Sequence, residues 1–280
     1  MVSFAAPVVS LFVPGSRPER FAKADESGTE AVILDLEDAV APTNKDRARE
    51  AVIAHAGALR SPVIVRVNAV GTPWHEADIN AVRRLGNASV MLPKAERPED
   101  IAKLTSRVGR ELHVVALVET AIGLAHLADI LVAPGVVAVA FGSVDFALDV
   151  GCAHERPALL AARGEIVWRS RAANRAAPID GVTTDLSSPD IVQDDAGHAF
   201  KLGFGGKMAI HPKQVEPIAR AFRPSEKEIA WARGILDAAP TGEARLVKGE
   251  MIDRPLVERA SLIMTRLSWP RTQMEKLSLK

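Results

Sequence analysis

Short runs of valine, isoleucine and leucine recur along the chain, with amphipathic stretches between them. Eight runs are found, at 8–13, 31–36, 63–67, 89–92, 113–118, 136–141, 178–182 and 206–210. Runs that are apolar throughout, rather than alternating, mark parallel strands whose two faces are both covered by helices. The intervening segments predict helices over 17–27, 45–59, 76–85, 98–108, 124–132, 158–176 and 190–202. Pro98 and Pro189 stand where helices begin, and Gly203 where the last of these ends. Strand and helix alternating eight times predict a closed (β/α)₈ TIM barrel; an open doubly wound sheet also accommodates eight strands.

The barrel is expected to occupy 1–222. A helix is predicted over 225–238, with Ser225 and Glu228 spaced as a capping box. A hinge-like Pro240-Thr241-Gly242 follows, then a short hairpin (244–247 and 250–252) and a helix over 255–267. The region 223–280 is too small to fold alone. It is expected to form a helix and lid packed on its own barrel or on a neighbouring subunit.

Composition narrows the picture without adding chemistry. Of 280 residues, 48% are apolar, enough for a sizeable core. The 35 Lys and Arg balance the 35 Asp and Glu, so no basic excess points to nucleic acid, although a local patch can still hold an anion. Cys152 is the single cysteine, which rules out an intramolecular disulfide and fits a reducing compartment. Residues 1–7 lack the basic and apolar regions of a signal peptide, and no apolar run approaches membrane-spanning length. The cytoplasm is the expected location.

Active sites of (β/α)₈ barrels lie at the C-terminal ends of the strands, so the residues closing each run are the informative ones. They are Asp35-Leu36-Glu37-Asp38, Arg66-Val67-Asn68, Pro93-Lys94, Glu119-Thr120, Gly142-Ser143-Val144-Asp145, Thr183-Thr184-Asp185 (with Asp180 earlier) and His211-Pro212. Charges embedded in apolar strands are unfavourable unless paired or bound to metal. Taken together, they suggest a metal or an anionic ligand. Taken singly, Asp38 and Asp185 read better as structural ion pairs or caps, and His211 reads as readily structural as catalytic. Glu119 and Asp145, on adjacent strands, are hard oxygen ligands suited to Mg²⁺ or Mn²⁺ rather than Zn²⁺. Arg66 offers a fork for a carboxylate. Pro14-Gly15-Ser16-Arg17 followed by Lys23 places a glycine turn and basic side chains before a helix, a weak phosphate-site signal.

These stretches resemble the HpcH/HpaI aldolase–citrate lyase superfamily in its citrate lyase β-subunit-like branch. The matching segments are Leu11-Phe12-Val13-Pro14-Gly15-Ser16-Arg17-Pro18-Glu19-Arg20-Phe21, Ile33-Leu34-Asp35-Leu36-Glu37-Asp38-Ala39-Val40, Arg66-Val67-Asn68, Leu92-Pro93-Lys94 and Val118-Glu119-Thr120-Ala121-Ile122-Gly123. Phe141-Gly142-Ser143-Val144-Asp145, Gly203-Phe204-Gly205-Gly206-Lys207-Met208-Ala209-Ile210-His211-Pro212 and Gly249-Glu250-Met251-Ile252-Asp253-Arg254-Pro255 complete the ordered set across nearly the whole chain.

The resemblance implies a Mg²⁺-dependent barrel acting on acyl thioesters of coenzyme A or of an acyl carrier protein, and releasing a small 2-oxo acid. By position it implies Glu119 and Asp145 as metal ligands and Arg66 as the carboxylate clamp. Glu37 and Asp38 would orient metal-bound water or the arginine. Pro14, Arg17 and Lys23 fall in the coenzyme A motif. Asp253 becomes the acid/base, carried by a lid that reaches a neighbouring subunit of a trimer or hexamer. The implied reaction is C2–C3 cleavage of a malyl- or citramalyl-type thioester. A citrate lyase β subunit on a carrier protein, a malyl-CoA thioesterase, an aldolase for free 2-oxo acids and a catalytically silent binding subunit are the alternatives.

Overall fold

The computed structural model describes residues 6–109, 111–238, 245–247 and 250–267. The chain divides into two compact units, Met1–Ala221 and Phe222–Lys280.

In the first unit, β1 (Val9–Pro14), β2 (Ala31–Asp35), β3 (Val63–Arg66), β4 (Ser89–Leu92), β5 (Val114–Val118), β6 (Val136–Phe141), β7 (Ile179–Asp180) and β8 (Gly206–Ala209) close into a barrel. Every pairing is parallel, and β8 returns onto β1 through Ser10 opposite Met208. The connecting helices are α1 (Phe21–Asp25), α2 (Lys45–His55), α3 (His75–Arg83), α4 (Pro98–Val108), α5 (Ala121–Ala125), α6 (Leu127–Val132), α7 (Ser143–Val150), α8 (Arg156–Ala172), α9 (Pro189–Leu202) and α10 (Val215–Phe222). The barrel expected from the eight apolar runs is therefore the fold.

Side chains alternate across a strand, so every second residue enters the barrel. Ala31 and Ile33 of β2, Ile64 of β3, Met91 of β4, Val115 and Leu117 of β5, Ala140 of β6, Ile179 of β7 and Met208 of β8 form one buried cluster, with Phe12 packed against it. The same alternation fixes what stands at the mouth. The next inward positions are Asp35, Arg66, Pro93, Glu119, Gly142, Gly181 and Ile210. Charge thus enters from β2, β3 and β5, while β6 and β7 contribute only glycine.

Local structure departs from the sequence reading in four places. The basic segment 17–27 is not one helix. Pro18 starts a 3-10 turn (Pro18–Arg20), and α1 that follows has five residues. The helix expected over 124–132 begins earlier, because Thr120 caps Gly123 N–H, and it breaks at His126, whose Nδ1 lies 2.9 Å from Glu96 O. The expected 158–176 helix stops at Ala172 ahead of Asn174, which sits at a left-handed φ of 54°. Finally, α7 occupies a segment read as a strand end and loop. Gly203 does close α9, at φ 103°.

The second unit holds α11 (Glu226–Ala238), the antiparallel pair β9 (Arg245–Val247) and β10 (Glu250–Ile252), and α12 (Arg254–Leu267). Ala232 and Ile235 of α11 pack on Ala260 and Ile263 of α12. The expected capping box is formed, with Ser225 N–H and Oγ at 2.8 and 2.7 Å from Glu228 Oε2. Pro240-Thr241-Gly242, Ala244 and Gly249 lie outside the described residues.

Candidate functional site

Strand alternation brings Asp35, Arg66 and Glu119 to one side of the mouth. Arg66 Nε and Nη2 donate to Asp35 Oδ1 and Oδ2 at 2.8 and 2.7 Å, a two-point ion pair. Arg66 Nη1 stands 3.2 Å from Glu37 Oε2 and 3.7 Å from Asp38 Oδ2. The Phe12 ring covers the guanidinium face, with Cζ 4.8 Å from its centroid. Burial disfavours the charge, but Asp35, Glu37 and Asp38 outweigh it and hold Arg66 more firmly protonated than an exposed arginine.

The carboxylates around it are in surplus. Burial pushes Glu119 up to about 8, with repulsion from Glu37 and Asp145 adding to it and the Lys94 N–H opposing it. Burial also pushes Glu37 up to about 7 against the pull of Arg66. Glu37 Oε2 is buried and makes no directed hydrogen bond despite its closeness to Arg66. Glu119 Oε1 accepts the Lys94 N–H at 2.8 Å, and Lys94 takes a left-handed φ of 47° to deliver it. A Cβ at Gly142 would lie 2.5 Å from Glu119 Oε2, so only glycine lets this carboxylate sit there. Asp145 stands in the first turn of α7, half-buried, not at a strand end. The Asp38 side chain is 66% exposed and stands at the edge of this cluster.

Sequence reasoning missed the support beneath the Glu37 loop. Lys45 is buried, and its Nζ donates to Leu36 O, Glu37 O and Asn68 Oδ1, each at 2.7 Å. Asn68 donates in turn to buried Asp78, which also accepts from Arg49 Nη1 at 3.0 Å. Lys45 also lies over the Trp74 ring, 5.1 Å from its centroid. A pocket of about 290 Å³ opens here, lined by Glu37, Asp38, Thr72, Trp74 and Lys94 among others.

Other strand-end charges point elsewhere. Asp180 faces outward and pairs with Arg163 at 2.9 Å and Lys207 at 3.0 Å; Lys207 also reaches Asp195 at 2.9 Å. Asp185 is exposed and accepts the Ser187 N–H, while His211 Nδ1 accepts the Lys213 N–H as a cap. At the N-terminal motif, Pro14 O accepts the Arg17 N–H at 2.9 Å, Arg17 Nε meets Glu19 at 2.5 Å, and Lys23 is exposed. The expected helix N-terminus for a phosphate is not built, because α1 is too short. Asp253 belongs to the second unit, where Oδ1 accepts the Leu256 N–H at 3.2 Å and caps α12.

A divalent cation suits the mouth. Buried carboxylates that repel one another, and an oxygen lacking a directed donor, are relieved by positive charge. Among the described residues no three His, Cys, Asp or Glu side chains converge as a ready metal cage. Glu119 and Asp145 would therefore leave positions open for water or ligand, the habit of Mg²⁺ more than of a structural Zn²⁺. Among the described residues no helix is long and apolar enough to cross a membrane.

Comparison with known proteins covers most of the chain. Residues 9–212 match the HpcH/HpaI aldolase/citrate lyase family model. A citrate lyase subunit beta-like protein of Mycobacterium tuberculosis is 35% identical over 264 residues, spanning 91% of this chain and 94% of the relative. An L-malyl-CoA/beta-methylmalyl-CoA lyase of Cereibacter sphaeroides is 32% identical over 293 residues, spanning 91% and 92%. The crystal structure of protein CitE from M. tuberculosis with magnesium, acetoacetate and coenzyme A superposes with a TM-score of 0.83 at 33% identity, covering 95% of this chain and 99% of that one.

Proposed function

The chain belongs to the HpcH/HpaI aldolase/citrate lyase family, and on that premise we propose that it is a Mg²⁺-dependent carbon–carbon lyase. Its substrate is a 3-hydroxy-3-carboxyalkyl thioester of coenzyme A, of the malyl or citramalyl type, and its products are a 2-oxo acid and an acyl-CoA. The observation that carries this reading is the surplus of buried carboxylates around Arg66 at the barrel mouth. Relatives crystallised with magnesium and coenzyme A, or with magnesium and oxaloacetate, support it.

Glu119 and Asp145 hold the metal. When bound, it supplies Lewis-acid polarisation of the oxygen that becomes the oxo group. Arg66 binds the C3 carboxylate. Glu37, whose Oε2 lacks a directed donor, takes the C3 hydroxyl proton. As the C2–C3 bond breaks, its electron pair passes to the thioester as an enolate, and the C3 oxygen becomes a carbonyl. Asp253, assigned from its Met-Ile-Asp motif, returns a proton to C2. In this reading it comes from a neighbouring subunit of a homo-oligomer, and Arg17 and Lys23 meet the coenzyme phosphates.

The test is 2-oxo acid release from malyl-CoA and citramalyl-CoA, with Mg²⁺ or with EDTA, by wild type and Asp145→Ala. Release that needs both the metal and Asp145 is expected. No release from either thioester by folded, Mg²⁺-binding protein would overturn the coenzyme A assignment.

A further inference from the structure

An arginine has two edges that can grip a carboxylate by two points, one formed by Nε and Nη2 and one by Nη1 and Nη2. In Arg66 the first edge is closed by Asp35 at 2.8 and 2.7 Å. Asp35 is itself immobilised. Oδ1 also accepts the Glu37 N–H at 2.9 Å, and Oδ2 the Ala39 N–H at 3.1 Å. Both its oxygens are doubly engaged and its side chain is 1% exposed, so it has neither room nor reason to turn away. One face of the guanidinium lies under Phe12. What remains is the outer edge, where Nη1 has only the undirected approaches of Glu37 at 3.2 Å and of the exposed Asp38 at 3.7 Å.

We infer that Asp35 is a positioning residue that reserves the outer edge of Arg66 for the substrate carboxylate. Arg66 then grips that carboxylate through Nη1 and the second Nη2 hydrogen, and the ligand takes the place of Glu37 beside Nη1. This deepens the proposed function and rests on its assignment of Arg66 as the clamp. It also explains why a strand-end aspartate is buried inside an already acidic mouth: it is the group that sets the angle of the arginine.

The experiment measures binding of pyruvate and of oxaloacetate to the Mg²⁺-loaded full chain by calorimetry, in wild type, Asp35→Asn, Arg66→Lys and the double variant. Asp35→Asn is expected to weaken 2-oxo acid binding by about 10- to 100-fold, the range for loss of an orienting partner. In the Arg66→Lys background the same change is expected to have no further effect, which a merely structural role would not produce. Unchanged binding by Asp35→Asn, or an equal loss in both backgrounds, overturns the inference while leaving the lyase reading intact. Wild type that binds Mg²⁺ but no 2-oxo acid overturns both. Should Asp35→Asn not fold, ¹⁵N-arginine spectra of wild type decide. Pyruvate is expected to shift the Arg66 Nη signals and leave Nε in place, and displacement of Nε overturns the inference.

Discussion

On the outer face of the barrel wall, between β7, β8 and the helices, Arg163 and Lys207 meet Asp180 and Asp195. On the inner face, at the mouth, Arg66 meets Asp35 and Glu37, with Glu119 beyond them and Lys94 acting on Glu37 from further off. Both clusters are buried, yet Asp195 of the first and Glu119 of the second move in opposite directions. Burial raises Asp195, but Lys207 and the Thr183 hydroxyl reverse this and bring it to about 2. Burial raises Glu119 to about 8, and nothing on the protein reverses it. The outer cluster is answered from within the chain and serves the fold. The inner one is not so answered, and a divalent cation would supply the missing charge.

The comparison can be broken most forcefully from the outside. Lys207→Met leaves Asp180 and Asp195 under-compensated where Lys207 was fully buried. A loss of about 3–5 kcal/mol is expected in urea unfolding, as for other broken buried pairs, with far less change in activity per folded molecule. Gly142→Ala attacks the inner cluster by forcing a methyl toward Glu119. It is expected to cost about 1–3 kcal/mol as overpacking and to weaken Mg²⁺ binding measured by calorimetry.

Acidity sharpens the contrast. Glu37 and Glu119 keep their protons to about 7 and 8 in the fold, against 4.5 ordinarily. Their protonated forms favour folding, so this stability is complete below about 4.5 and is lost as pH rises through those values. The Mg²⁺-free protein should lose up to about 1.4 kcal/mol per pH unit for each carboxyl across this window. Urea midpoints from pH 5 to 9 check this, and Glu119→Gln should flatten the upper part. Ser225→Ala serves as a control in the second unit. Removing its cap on α11 should lower stability by about 1 kcal/mol and leave the Mg²⁺ affinity of the mouth unchanged.

Much of the barrel was legible because its strands are nearly pure apolar runs. β7 shrank to two residues where Pro178 and Gly181 flank it. The helix α7 was not legible because apolar residues surround it: Phe146 and Ala147 are buried while Val144, Leu148 and Val150 face solvent, so no single apolar stripe marks it. Among site residues, Glu37, Arg66 and Glu119 do meet at the mouth. The motif gives Asp35 no role beside Glu37 and Asp38, although period-two alternation from Ala31 and Ile33 places it inside. Asn68 closes the third run, but its partnership with Lys45 and Asp78 was not legible, since it joins positions 23 and 10 residues apart through three-dimensional contacts. Asp253 rests on its motif and caps α12.

The left-handed turn at Lys94 carries a consequence for anyone who would move this site. Holding a non-glycine residue at φ 47° stores about 1–3 kcal/mol of strain, and the return is one N–H aimed at Glu119. A graft of Asp35, Arg66, Glu119 and Asp145 onto another eight-stranded barrel would copy the visible chemistry and omit this donor. It would also omit the room that Gly142 gives the Glu119 carboxylate. The portable unit is larger than its charged residues: it includes a twisted loop from one strand and a missing side chain from another, neither of which an inventory of functional groups would record.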